Sequence, residues 1–154
     1  MSVNYIAPFF DSDVSAVVVN DLSLLYIEED NILKTKVTSF LSDVFKNVET
    51  SSTGKDALSK FVDYSKKESS FDMVLIDSKI KDMYVIDLIQ KIKTYSPDTP
   101  CILITDETSP FLILQAINID VTHFLIKPLQ IYKLVYTLKK AYCIKYYKNM
   151  LAMQ

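Results

Sequence analysis

Short, nearly continuous apolar runs recur along the chain at Leu22–Ile27, Asn47–Thr50 (the weakest), Phe71–Ile76, Pro100–Ile104 and Thr122–Ile126. Each has the length of a strand, and successive runs are separated by enough residues for a crossover helix. Strands apolar on both faces suit a parallel sheet covered on both sides. The intervening segments change period. Leu33, Val37, Phe40, Leu41 and Val44 fall on one helical face, Ala57, Leu58, Phe61 and Val62 form a second stripe behind a Ser52/Thr53 cap, and Val85, Ile86, Leu88, Ile89 and Ile92 form a third. A fourth helix starts with Ser109 as cap and Pro110 in its first turn. It then reads Phe111, Leu112, Ile113, Leu114, Ala116 and Ile117, more apolar neighbours than one buried stripe needs. Core burial is expected to take most of them and a partner surface the remainder. The last helix follows Pro128 and uses Ile131, Leu134, Val135, Leu138 and Tyr142 to face the sheet. It continues through Ile144, Tyr146, Tyr147, Met150 and Leu151 with no stop signal. Strands alternating with helices make an α/β protein.

The expected organisation is an N-terminal extension over 1–21, one domain over 22–143, and an extension of the last helix over 144–154. Within the first of these, Val17–Val19 fits either an extra strand or a loosely held segment. At 154 residues, 49% apolar and 23% charged, the chain can build a single core. A net charge of −2 gives no basic footprint for nucleic acid or an anionic membrane surface. No uncharged run is long enough to span a bilayer, which points to a cytoplasmic protein. Cys101, Cys143 and His123 supply neither a disulfide framework nor a spaced metal cluster, and two reduced thiols are expected. Glycine occurs once, as Gly54, so glycine-rich phosphate loops are excluded.

In an open parallel sheet, function gathers at the carboxyl ends of the strands. Here those ends carry Glu28–Glu29–Asp30, Asp77, Thr105 and Lys127–Pro128. Three carboxylates converging at one mouth repel one another unless a cation compensates, and an oxygen-only site with few carboxylates suits Mg2+. A phosphoryl group on Asp77 would complete the chemistry, with Lys127 and the ion neutralising its oxygens and the Thr105 hydroxyl donating to one of them.

With the stretches LLYIEEDN, TSSTGKDAL, FDMVLIDSKI, PCILIT and HFLIKPL in this order, the chain resembles the receiver domains of bacterial two-component response regulators, the CheY-like fold, from about Leu22 to Tyr142. The resemblance implies a doubly wound (βα)5 sheet of order 2-1-3-4-5. It implies that Asp77 accepts phosphate from a histidine kinase or phosphotransfer protein, and that Mg2+ is held by Glu28, Glu29, Asp77 and the Lys79 backbone carbonyl. Thr105 and Lys127 would sense the phosphate, and Phe124 would turn inward, reshaping the fourth helix, fifth strand and fifth helix for partner binding or homodimerisation. The Lys127–Pro128 bond matches one that is cis in the family. Such a protein is a signalling phosphoacceptor rather than an enzyme acting on an external substrate.

The chain departs from the family in several places. Glu28 and Glu29 are each one methylene longer than the usual aspartate, which predicts a displaced or weaker ion site. Lys81, Asp82 and Val85 replace the usual proline and glycines after Asp77, and Asp106 replaces a small residue after Thr105. Lys81 and Asp106 are expected as solvated charges. Asp82 and Asp120 are expected to take left-handed backbone where the family has glycine, whereas Val85 should be helical. The loop after Asp77 is therefore expected to be stiffer. The alternative to a phosphorylated switch is a pseudo-receiver, a phosphorylation-independent interaction module. A flavodoxin-like enzyme is disfavoured, because Glu28–Glu29–Asp30 would repel a phosphate ligand after the first strand.

Overall fold

A computed structural model describes residues 14, 16–67, 69–106 and 110–153. Five strands, β1 (Ser23–Ile27), β2 (Asn47–Ser51), β3 (Met73–Asp77), β4 (Cys101–Thr105) and β5 (His123–Ile126), alternate with five helices. The helices are α1 (Asn31–Leu41), α2 (Gly54–Lys66), α3 (Val85–Tyr95), α4 (Pro110–Asn118) and α5 (Ile131–Ala152). All neighbouring strands pair in parallel, in the order β2-β1-β3-β4-β5. This is the doubly wound α/β sheet expected from the alternation of periods.

The pleat divides the core in two. Leu25, Ile27, Val74, Ile76 and Leu103 face α2, α3 and α4, where they pack with Phe61, Leu88, Ile89 and Ile92. Leu24, Tyr26, Met73, Leu75, Ile102 and Ile104 face α1 and α5, meeting Val37, Leu41, Leu134 and Leu138. Every residue of β3 and β4 is buried, as their unbroken apolar runs require. Val19 is buried and Val17 packs beside it on the α1/α5 side, so the residues just before β1 lie against the core without adding a strand. Ser109 and most of the N-terminal extension lie outside the described residues.

Caps fix where helices begin. Asp30 accepts the N–H groups of Ile32 and Leu33 at the start of α1, and Thr53 Oγ1 accepts the Asp56 N–H at the start of α2. Val85 opens α3 as a helical residue.

Three expectations are corrected. In α4 only Ala116 is fully buried, while Phe111, Leu114 and Ile117 are 70%, 59% and 51% exposed, so most of its apolar surface faces outward. In α5, Ile131 is exposed and the buried positions are Leu134, Leu138 and Ala141, because the helix meets the sheet one turn later than the stripe suggested. Asp120 has the left-handed backbone expected of it, with φ 66°, but no other described non-glycine residue does. Asp82 uses its carboxylate instead of its backbone, as described below.

Candidate functional site

Parallel register brings the strand ends to one edge. Ile27 pairs with Ile76, Asp77 with Ile104, and Thr105 with Ile126, so the residues that follow β1, β3, β4 and β5 stand side by side. Single backbone hydrogen bonds extend the ladder past the strands: Glu28 N–H to Ser51 O at 2.9 Å, Ser78 N–H to Ile104 O at 2.8 Å, and Lys127 N–H to Thr105 O at 2.8 Å. These bonds hold Glu28 and Lys127 in line with the sheet.

Asp77 is at the centre and 1% exposed. Its Oδ1 accepts the Lys79 N–H at 2.8 Å, while its Oδ2 lies 2.6 Å from Lys127 Nζ. Apart from that ion pair, Oδ2 is a buried oxygen with no hydrogen-bond donor. Burial acts to lower the Lys127 pKa, but Asp77, Glu28 and Asp106 together outweigh it and hold the ammonium charged. Thr105 is buried at the end of β4, and Lys127–Pro128 is the one cis peptide bond among the described residues.

Glu28 is 2% exposed beside Asp77. Its Oε2 accepts the Asp30 N–H at 3.1 Å, and Tyr26 Oη lies 3.5 Å from Oε1. Burial, then a hydrogen bond shared with the Asp77 carboxyl, pushes the Glu28 pKa up to about 7, against the pull of the Asp30 N–H and Lys127.

Glu29 is directed elsewhere. Its Oε2 accepts the Lys81 backbone N–H at 3.0 Å, and its Oε1 pairs with Lys81 Nζ at 3.1 Å. The mouth therefore gathers Glu28 and Asp77, with Asp106 nearby but paired to Lys79 and Glu29 paired to Lys81; Asp30 is occupied as the α1 cap. Among the described residues no three His, Cys, Asp or Glu side chains cluster tightly enough to hold a metal. Two carboxylates nevertheless suit Mg2+, which keeps several waters and commonly takes one or two protein carboxylates. The underbonded Asp77 Oδ2 leaves lone pairs for such an ion or for a phosphoryl group. His123 is far from this chemistry: it opens β5 at the opposite end of the sheet, on a cavity of about 360 Å3 shared with Lys93, Lys145 and Lys148. Cys101 and Cys143 are in no disulfide.

The loop between β3 and α3 is tied down on three sides. Lys79 pairs with Asp106, Lys81 with Glu29, and Asp82 accepts the Gly54 and Lys55 N–H groups at 2.8 and 3.0 Å, capping α2 from 27 and 28 residues away. Lys81 is the solvated charge expected, its side chain 90% exposed, and both it and Asp106 are in addition paired at the surface. Met83 lies over Gly54, where an added Cβ would come within 2.5 Å of its Sδ. A side chain at position 54 would have to displace the flexible end of Met83. Beyond it, Tyr84 O–H donates to Gln115 Oε1 and so ties the loop to α4. Phe124 is half-buried against the α2–α3–α4 side of the core and borders a groove with Tyr132 and Tyr136.

A family model described as the response regulator receiver domain matches residues 24–139. The transcriptional regulatory protein ZraR of Klebsiella oxytoca is 29% identical over 120 residues, 78% of this chain and 26% of that protein. The regulatory protein LuxO of Vibrio cholerae is 26% identical over 115 residues, 75% of this chain and 24% of that protein. The chain spans about a quarter of the length of these relatives. In three dimensions it is similar to a CheY-like receiver domain protein from Methanospirillum hungatei, with a TM-score of 0.75 at 19% identity, covering 83% of this chain and 98% of that one.

Proposed function

Because the chain belongs to the response regulator receiver domain family, matched from residue 24 to 139, we propose that Asp77 is a phosphoacceptor whose modification switches the α4–β5–α5 surface. The observation that carries this is Asp77 itself, buried at the strand ends with Lys127 on its Oδ2 and no other donor to that oxygen. A carboxylate oxygen of Asp77 attacks phosphorus on a phosphohistidine of a histidine kinase or phosphotransfer protein. The new O–P bond forms as the P–N bond breaks, and the imidazole leaves with the bonding pair and takes a proton. Lys127, already held as an ammonium, offsets charge on the phosphoryl oxygens, and the Thr105 hydroxyl donates to one of them. Glu28, Asp77 and the Lys79 carbonyl would hold Mg2+, which supplies further neutralisation of the transferring group.

Once phosphorylated, Asp77 pulls Thr105, and Phe124 follows inward, altering the exposed face of Phe111, Leu114, Ile117 and Ile126. That face, continued onto α5 by Tyr132, is the proposed site of partner binding or homodimerisation. The setting is bacterial and cytoplasmic. Incubation with acetyl phosphate and Mg2+ should give a base-labile phosphoryl group that mass spectrometry maps to Asp77. Absence of the group, or its survival in Asp77→Asn, would contradict the proposal.

A second reading, a pseudo-receiver that works without phosphorylation, draws on the pairing of Glu29 with Lys81. It predicts no label under the same conditions.

A further inference from the structure

Glu29 follows Glu28 directly, yet one distant residue engages both of its oxygens. Lys81, 52 positions later, gives its backbone N–H to Oε2 and places Nζ 3.1 Å from Oε1. A carboxylate engaged on both oxygens meets a metal ion in competition with those partners. The partners are unequally buried, with the Lys81 side chain 90% exposed and that of Glu29 27% exposed. Opening the pair therefore leaves the already exposed ammonium in water and loses only what an exposed ion pair is worth. Lys79, the other cation of the loop, is engaged by Asp106 on the far side. Lys81 is thus the cation assigned to Glu29, weakly enough to be displaced and firmly enough to compete.

Resting on the phosphoacceptor reading above, we propose that Lys81 is a tethered cation that competes with Mg2+ for Glu29. In the resting protein the ion is held through Glu28 and Asp77, and Glu29 joins only when the Lys81 ammonium leaves. Metal affinity is then set in part by a residue that is not a ligand, carried on the loop that also bears Asp82 and Tyr84. Lys81 is a positioning residue acting through Glu29, and its effect should vanish when Glu29 cannot ligate.

A double-mutant cycle measures this directly. The wild type, Lys81→Met, Glu29→Gln and the double variant are titrated with Mg2+, followed by tyrosine fluorescence and checked by the Mg2+-induced rise in Tm. Lys81→Met should bind Mg2+ about two- to five-fold more tightly, the range expected for releasing an exposed ion pair. Lys81→Arg, which keeps the cation, should match the wild type, and the double variant should match Glu29→Gln. An unchanged affinity in Lys81→Met, or a gain that persists in the Glu29→Gln background, overturns the proposal. If binding saturates in the wild type and is lost in Asp77→Asn, that outcome leaves the phosphoacceptor reading standing. No saturable Mg2+ binding in any of the four proteins overturns the competition and the metal-assisted reading together, while labelling of Asp77 still decides phosphate acceptance.

Discussion

Glu28 and His123 sit at opposite ends of the sheet, and folding shifts their protonation in opposite directions. Glu28 goes from an ordinary 4.5 to about 7, so the folded chain holds an extra proton between those values. Its contribution to stability is fully present below pH 4.5 and is lost as pH rises through 7. Burial pushes His123 down to about 4, aided by Lys140 and Lys148, so its contribution is present above 6.5 and is lost as pH falls through 4. Between about 4.5 and 6.5 the two oppose each other. The wild type should therefore show a nearly level Tm across that window and a fall from pH 6.5 to 8. Glu28→Gln should abolish the fall and recover on the order of 2 kcal/mol at pH 8, whereas His123→Gln should extend the fall down to about pH 4.5. Denaturation followed by circular dichroism in a series of buffers checks both. A Tm of Glu28→Gln that parallels the wild type across the range would contradict the raised pKa of this buried carboxyl.

Among the elements, strands and helices were readable because burial imposes a period, as in β3, whose unbroken apolar run forecast a strand covered on both faces. Capping signals were readable for the same local reason, with Thr53 standing directly before the α2 residues it serves. The β3–α3 loop was not. Lys81 finds Glu29 and Asp82 finds the start of α2 through contacts 27 to 52 residues apart in sequence, which no spacing rule encodes. Asp82 illustrates the miss: a tolerance for left-handed backbone is a property of the residue alone, whereas its use as a remote cap depends on where α2 begins. The expected stiffness of this loop would rest on these ties, together with Met83 over Gly54. Asp82→Ala leaves two N-terminal donors of α2 without their acceptor, and should cost about 1 kcal/mol. Asp82→Asn, which keeps one oxygen acceptor, should fall between it and the wild type. Urea unfolding measures the difference, and an Asp82→Ala midpoint equal to the wild type would show that water replaces the cap at no cost.

For the whole molecule, the sheet collects chemistry at one edge and leaves apolar surface beside it. Asp77, Lys127 and Thr105 were legible at the strand ends because a parallel sheet aligns its carboxyl edge, and they are where the register requires them. The exposure of α4 was less legible, since a helix that is apolar nearly all round does not say which side the sheet will claim; Ala116 alone is fully buried in it. From Asp77 the route to that surface runs two ways, through β4 to β5 and Phe124, and through the loop to Tyr84 and Gln115 on α4. A phosphorylation-controlled switch would alter one or both of them. Hydrogen exchange read by mass spectrometry, with and without Mg2+ and beryllofluoride as a phosphoryl mimic, tests this most directly. The switch predicts altered protection in residues 78–84, α4 and β5, absent in Asp77→Asn. Identical exchange in both states, or the same change in Asp77→Asn, would contradict it.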